Sequence, residues 1–180
     1  GKGRTTCPYF TKDGKHIIYA STHLAADTCP PVPDRKKYGN KYIWPLYDGY
    51  DIFMADLDGK IVKQLTNAKG YDAEPTLSPD GKKMIYTSDK DGDIDLYLMD
   101  LKTGKEKRIT NTLGYDGGAW FSPDGKKIAF ASNRGGFWEK DHLAGIKTQN
   151  RNGDKRIQGS AGREYGSSNQ YGGVCGQCRR

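Results

Sequence analysis

Carboxylates crowd one short stretch, Asp89-Lys-Asp-Gly-Asp-Ile-Asp95. Calcium loops place carboxylates at alternate positions, because a turn can then aim them at one hard cation. Asp89, Asp91, Asp93 and Asp95 have that spacing and are the weak candidates for a metal site. The calcium loop of a helix–loop–helix hand also needs Gly at its sixth position and a bidentate Glu at its twelfth. Here Gly92 is fourth, Ile94 is sixth and Asp100 is twelfth. The pattern suits a hairpin turn better, so the expectation is that the loop holds no calcium.

The other reactive side chains are dispersed. His16, His23 and His142 share no ligand spacing. No Gly-x-Ser-x-Gly element supplies a nucleophile on a strand-to-helix turn. No glycine-rich loop leads from a strand into a helix to cradle phosphate. Asp72 and Asp116 recur at one position of a repeat, which suggests a turn or a hydrogen bond between units rather than an acid–base pair. Cys175-Gly-Gln-Cys178 is a single C-x-x-C; a structural zinc site needs two more ligands and a redox motif needs a βαβ setting. No catalytic residue and no cofactor are expected in this chain.

What positions these residues is a unit that occurs three times. Phe10-Thr-Lys-Asp-Gly-Lys-His-Ile-Ile-Tyr-Ala-Ser21 is followed by Leu77-Ser-Pro-Asp-Gly-Lys-Lys-Met-Ile-Tyr-Thr-Ser88 and Phe121-Ser-Pro-Asp-Gly-Lys-Lys-Ile-Ala-Phe-Ala-Ser132. Proline pre-sets φ for a turn, Asp bonds its own backbone, and Gly accepts positive φ. Period-two alternation follows each turn at Ile17 and Tyr19, Ile85 and Thr87, and Ile128 and Phe130, the mark of a half-buried strand. Hairpins are therefore expected at Asp13-Gly14, Asp80-Gly81 and Asp124-Gly125. Third strands follow at Asp51–Leu57 and Asp95–Leu101. Short fourth strands follow at Gln64-Leu-Thr66 and Arg108-Ile-Thr110. Asp72 and Asp116 lie 44 residues apart. Four short strands in about 40–45 residues is the period of a propeller blade.

The phrases Ser-Pro-Asp-Gly-Lys-Lys, Asp-Leu-Tyr-Leu-Met-Asp and Arg-Ile-Thr-Asn resemble the TolB-like β-propeller repeat of exported bacterial proteins, over roughly residues 7–134. The resemblance implies an all-β fold of about two and a half four-stranded blades: 7–66, 71–110 and a partial 115–134. It implies a non-catalytic scaffold in the periplasm or outside the cell, binding another protein or an envelope component. Related blades also accompany catalytic domains in prolyl-oligopeptidase-type peptidases and some pectate-degrading lyases, so an accessory role beside an enzyme stays open. A glycan- or metal-binding propeller is a third reading. The exported family also favours a Cys7–Cys29 disulfide, which would tie the first blade's long insert to its first strand and contribute about 3 kcal/mol.

That insert separates the first blade from the second. Phe10 to Asp51 spans 41 residues, whereas Leu77 to Asp95 spans 18. The excess holds Cys29-Pro-Pro-Val-Pro33, whose prolines argue against a helix. It also holds Tyr38, Tyr42, Trp44 and Tyr47, too many aromatics for a merely solvated loop. Long loops on repeat scaffolds often carry binding. These four side chains are either a ligand-binding surface or a cap folded onto the blade.

The 180 residues carry a formal net charge of +7. Residues 135–180 hold eight Lys and Arg against four Asp and Glu, which leaves the repeat region at +3. No nucleic-acid motif accompanies the charge, so no nucleic-acid partner is expected. No stretch of about 18 apolar residues offers a membrane span. The sequence shows no signal peptide, and Gly1 starts mid-pattern. A closed propeller needs about 4–8 blades. The expectation is therefore a piece of a larger protein, or a chain that associates with itself or a protein partner through its open blades.

Residues 135–180 form a Gly-rich basic tail without alternation, expected to be disordered. A one-base reading-frame slip near residue 135 is the other account. Favourable codons for Gln170–Arg180, read one base along, give Asn-Met-Glu-Val-Tyr-Val-Val-Asn-Ala-Asp, a suitable third strand. Such a tail would have no function.

Overall fold

A computed structural model describes residues 2–38, 43–132 and 163–166. The strands are β1 (Thr5–Phe10), β2 (His16–Ser21), β3 (Ile43–Leu46), β4 (Asp51–Asp56), β5 (Ile61–Gln64), β6 (Asp72–Leu77), β7 (Lys83–Ser88), β8 (Asp95–Asp100), β9 (Glu106–Arg108), β10 (Asp116–Phe121), β11 (Ile128–Ser132) and β12 (Arg163–Gly166). Two antiparallel four-stranded sheets have the orders β1-β2-β4-β5 and β6-β7-β8-β9. Strands β10 and β11 begin a third unit in the same way. No α-helix occurs among the described residues. The all-β propeller architecture expected from the repeat is the one observed.

The three hairpins turn where their sequences direct. Gly14, Gly81 and Gly125 donate their N–H to Thr11, Ser78 and Ser122 carbonyls at 2.8–2.9 Å. In each turn the Asp side chain accepts the N–H two residues on, at Lys15, Lys82 and Lys126. All three glycines have φ near +70°, a conformation a side chain would strain.

Alternation along the strands explains how one blade serves two neighbours. In the middle unit Met84, Tyr86, Tyr97 and Met99 join Ile18, Ala20 and Ile52 of the first in one buried cluster. The intervening residues Ile85 and Leu96 pack with Ala119 of β10, flanked by Phe121 and Ile128. Successive strand side chains point to opposite faces, so each blade contributes half a core on either side. Strand β11 pairs only with β10 among the described residues, and four of its five residues are exposed.

Each first strand bends at the same place. Register shifts occur between Thr6 and Tyr9, Ala73 and Thr76, and Gly117 and Trp120. The residues in these bulges are Cys7, Glu74 and Gly118, with φ of +51°, +56° and +59°. Two of the three are therefore non-glycine residues in the left-handed region, where a side chain costs about 1–2 kcal/mol.

The insert differs from its sequence reading in one respect. A single 3-10 turn, Arg35–Tyr38, follows the prolines. Asp34 starts it by accepting the Lys36 N–H on its side chain at 3.0 Å and the Lys37 N–H on its carbonyl at 3.1 Å. Proline upstream is compatible with a helix start, because the first turn's N–H groups need no intrahelical partner. The insert also contains β3, which pairs antiparallel with β12 in the register Trp44↔Tyr165. The remainder of 133–180, including Cys175, Cys178 and the proposed frame-slip segment, lies outside the described residues.

Candidate functional site

Of the four insert aromatics, Tyr47 has a fixed place. Its hydroxyl donates to the Pro31 carbonyl and accepts from Arg4 Nη1 at 2.9 Å. The Arg4 guanidinium also lies 5.4 Å from the Tyr47 ring centre. Tyr47 packs 6.4 Å from Tyr50, which meets Tyr71 of the next blade edge to face at 5.4 Å. Tyr47 therefore clamps the insert onto the first blade. The backbone of Tyr38 closes the 3-10 turn and that of Trp44 lies in β3. Tyr42 lies outside the described residues.

The four carboxylates of the 89–95 loop are all engaged, and Asp91 and Asp95 share Arg108. Asp89 Oδ1 accepts the Tyr71 N–H at 2.8 Å, and a Cβ on neighbouring Gly70 would lie 2.2 Å from that oxygen. Asp91 accepts the Tyr97 hydroxyl and faces Arg108 Nη1 at 3.6 Å. Asp93 Oδ2 reaches the next unit and accepts the Gly114 N–H at 2.8 Å. Asp95 takes Arg108 Nη2 at 2.5 Å and the Thr110 hydroxyl at 3.0 Å. No group of three or more metal-ligating side chains forms among the described residues. Asp89 and Asp93 fasten backbone N–H groups, and Asp91 and Asp95 hold side chains of β8 and the residues that follow it.

The cysteine pairing needs correction. Cys7 is a thiol whose sulfur lies 3.2 Å from Thr6 Oγ1. Cys29 is disulfide-bonded, with its sulfur 3.2 Å from the Gly3 carbonyl oxygen. The two are thus not joined to each other. The β1 bulge supplies the reason: at φ +51° Cys7 leaves ordinary strand alternation and its sulfur rests against its own neighbour.

The structure adds a residue that the sequence did not single out. Glu74 is 9% exposed and crosses from the second unit to the third. Its carboxylate accepts the Thr87 hydroxyl at 2.7 Å, the Gly118 N–H at 2.8 Å and the Tyr115 hydroxyl at 3.2 Å. Gly117 leaves room for this group: a Cβ there would lie 2.4 Å from the Tyr115 hydroxyl and 2.6 Å from Glu74 Oε2. Beside this latch the Thr76 hydroxyl donates to the Ala119 carbonyl at 2.6 Å. Aligning the three first strands shows Glu74 where the others have Cys7 and Gly118, the one signal that could have exposed it.

Two surfaces remain available for recognition. The first is aromatic and lies on the first strands of the units. Tyr9 of β1 and Trp120 of β10 meet edge to face at 5.6 Å. Trp120 is 56% exposed, and Phe10, next to Tyr9 on β1 and so on the strand's other face, is 67% exposed. The second is a cleft of about 750 Å³ lined by Thr5, Tyr19, His23, Leu24 and Ile61, with the Lys2–Asp27 ion pair at its edge. His23 stacks on Tyr19 and lies tilted against Phe53, and burial holds its imidazole below the usual histidine range. Tyr19, His23 and Phe53 form one ring cluster at the cleft wall.

The comparisons with known proteins agree with this geometry. The TolB beta propeller domain matches residues 51–139. Dipeptidyl-peptidase 5 of Porphyromonas endodontalis is 38% identical over 84 residues, covering 46% of this chain and 10% of that protein. TolB of Acinetobacter baumannii superimposes with a TM-score of 0.52 at 28% identity, covering 72% of this chain and 27% of the other. The chain thus spans a tenth of the first of these proteins and about a quarter of the second. Sequence match and sheet order agree over that segment: residues 51–139 match the TolB beta propeller domain, and the described strands there are ordered as successive four-stranded blades.

Proposed function

We propose that this chain is a non-catalytic binding scaffold that meets a protein or a cell-envelope component through the aromatic surface of its first strands. One observation carries the reading. Trp120 stays 56% exposed on β10 while pairing edge to face with Tyr9 of β1, and the carboxylates that could do chemistry are held by backbone and side-chain donors. Exposed large aromatics supply contact area at low entropy cost and are enriched at protein interfaces. The TolB-type repeat supports a periplasmic or extracellular setting. No helix among the described residues is long and apolar enough to cross a membrane.

The test is site-specific photocrosslinking in the intact source protein. A benzophenone amino acid replaces Trp120, and the control replaces Lys60 on the exposed turn between β4 and β5. The scaffold reading predicts a discrete adduct from position 120 and none from position 60. Equal, diffuse labelling at both positions would contradict it.

The 38% match to dipeptidyl-peptidase 5 favours a second reading, in which these blades accompany a peptidase domain. In that case the exposed strands face the catalytic domain of the same protein. The crosslink would then be intramolecular, and the full-length protein would release dipeptides from a peptide substrate.

A further inference from the structure

The hairpins that join first to second strands carry unpaired positive charge at their tips. Each tip holds two lysines and one aspartate: Lys12 and Lys15 with Asp13, Lys82 and Lys83 with Asp80, and Lys126 and Lys127 with Asp124. Their sum is +3, which equals the net charge of residues 1–134. All six lysines are exposed. None of them forms an ion pair among the described residues; the lysine and arginine pairs there belong to Lys2, Lys90 and Arg108.

The aspartates are spent on their own turns. In each, Oδ1 accepts a hydroxyl at 2.6 Å, from Thr11, Ser78 or Ser122. The same oxygen accepts the N–H two residues on, at 3.0–3.1 Å. The hydroxyl first, and then the N–H, hold each carboxyl below its ordinary range. The tips also stand side by side. A Cβ on Gly81 would lie 3.9 Å from Lys12 Cβ, and one on Gly125 would lie 3.5 Å from Pro79 Cδ. Each tip therefore touches the next, and the six ammonium groups share one end of three units. Like charges gathered within a Debye length, about 8–10 Å, repel one another and draw opposite charge.

We propose that this hairpin end docks on an anionic lipid surface, without insertion, its lysine ammonium groups meeting headgroup phosphates. The residue types favour a lipid surface over a polymer. Residues 11–16, 78–83 and 122–127 contain no Arg, whose planar fork would select a single phosphate or carboxylate. They contain no Trp, Tyr or Phe on which a base could stack. What they offer is point charge on flexible stems at three adjacent projections, which suits a plane of phosphates. The proposal goes beyond the scaffold reading, because this end does not use Trp120.

Cosedimentation of the 1–180 chain with vesicles tests this. Phosphatidylcholine vesicles are compared with phosphatidylcholine vesicles that also contain phosphatidylglycerol. Each net positive charge near an anionic surface is worth about fivefold, so the tips' +3 predicts about a hundredfold preference for the anionic vesicles. That preference should vanish as salt rises from about 0.1 M to about 1 M. Replacing two exposed tip lysines, in Lys82→Gln with Lys126→Gln, should weaken binding about 25-fold. Lys36→Gln with Lys37→Gln makes the same charge change on the insert and should leave binding unchanged, as should Trp120→Ser. Equal binding to both kinds of vesicle would overturn the proposal. So would equal losses in the two double variants, which would assign the attraction to net charge, or a loss confined to Trp120→Ser. Binding to soluble polyphosphate with none to the anionic vesicles would also overturn it, in favour of a polymer.

Discussion

Removing the Glu74 carboxylate should uncouple the second unit from the third. In Glu74→Ala the Gly118 N–H and the Thr87 hydroxyl lose their acceptor in a buried site. Hydrogen bonds to a charged group are worth about 1.5–3 kcal/mol, and a buried donor left unmet carries its desolvation cost. The contact with the Tyr115 hydroxyl, at 3.2 Å, is longer and adds less. Against this, Glu74 holds φ at +56°, and alanine keeps that strain. The expected loss for Glu74→Ala is about 3–4 kcal/mol, a large part of a total stability of about 5–15 kcal/mol. Glu74→Gly loses the same acceptor but relieves the backbone, so it should be about 1 kcal/mol more stable than the alanine variant. Urea unfolding followed by circular dichroism measures both differences. If Glu74→Ala falls within 1 kcal/mol of the parent, or is as stable as Glu74→Gly, the latch reasoning is wrong.

Three further outcomes follow from single sites. Cys7→Gly should stabilise the chain by about 1 kcal/mol, because glycine accepts φ +51° without strain; equilibrium unfolding under reducing conditions reads this. Tyr47→Phe removes the hydroxyl that joins Arg4 to Pro31, so the insert should be cleaved faster by trypsin at Arg35, Lys36 or Lys37, with little change in the melting of the blades. The Asp72 carboxyl is held near 6 in the fold against 3.8 outside it. The folded state therefore binds its proton more tightly, and this group's contribution to stability grows as pH falls through 6 and is complete below 3.8. Between pH 7 and pH 5 the gain should be about 1 kcal/mol, and Asp72→Asn should flatten it.

How much was legible depended on whether a feature is written in local sequence. The hairpins were, because Asp-Gly turns and period-two strands each act through neighbouring residues. Sheet order followed, since a 44-residue repeat of four short strands leaves few antiparallel arrangements. The role of the 89–95 loop was only half visible: its turn was expected, but Asp93 reaching Gly114 depends on a contact across 21 residues. Glu74 was missed because its partners, Tyr115 and Gly118, lie in the following unit. The cysteine expectation failed for a related reason. Proximity in sequence to a hairpin does not predict the bulge that turns the Cys7 sulfur toward Thr6. The 3-10 turn at Arg35–Tyr38 escaped because prolines upstream of a capping Asp start a turn as readily as they stop one.

The account's central claim is that these blades are a scaffold whose open surfaces take other protein. Sedimentation velocity of the 1–180 chain over a hundredfold concentration range tests it most directly. The described β11 pairs on one side only, and Trp120 is exposed on the adjoining strand. The account predicts concentration-dependent association that weakens in Trp120→Ser and in Ala129→Lys on β11. A parent chain that stays a monodisperse monomer throughout, and melts cooperatively, would contradict it.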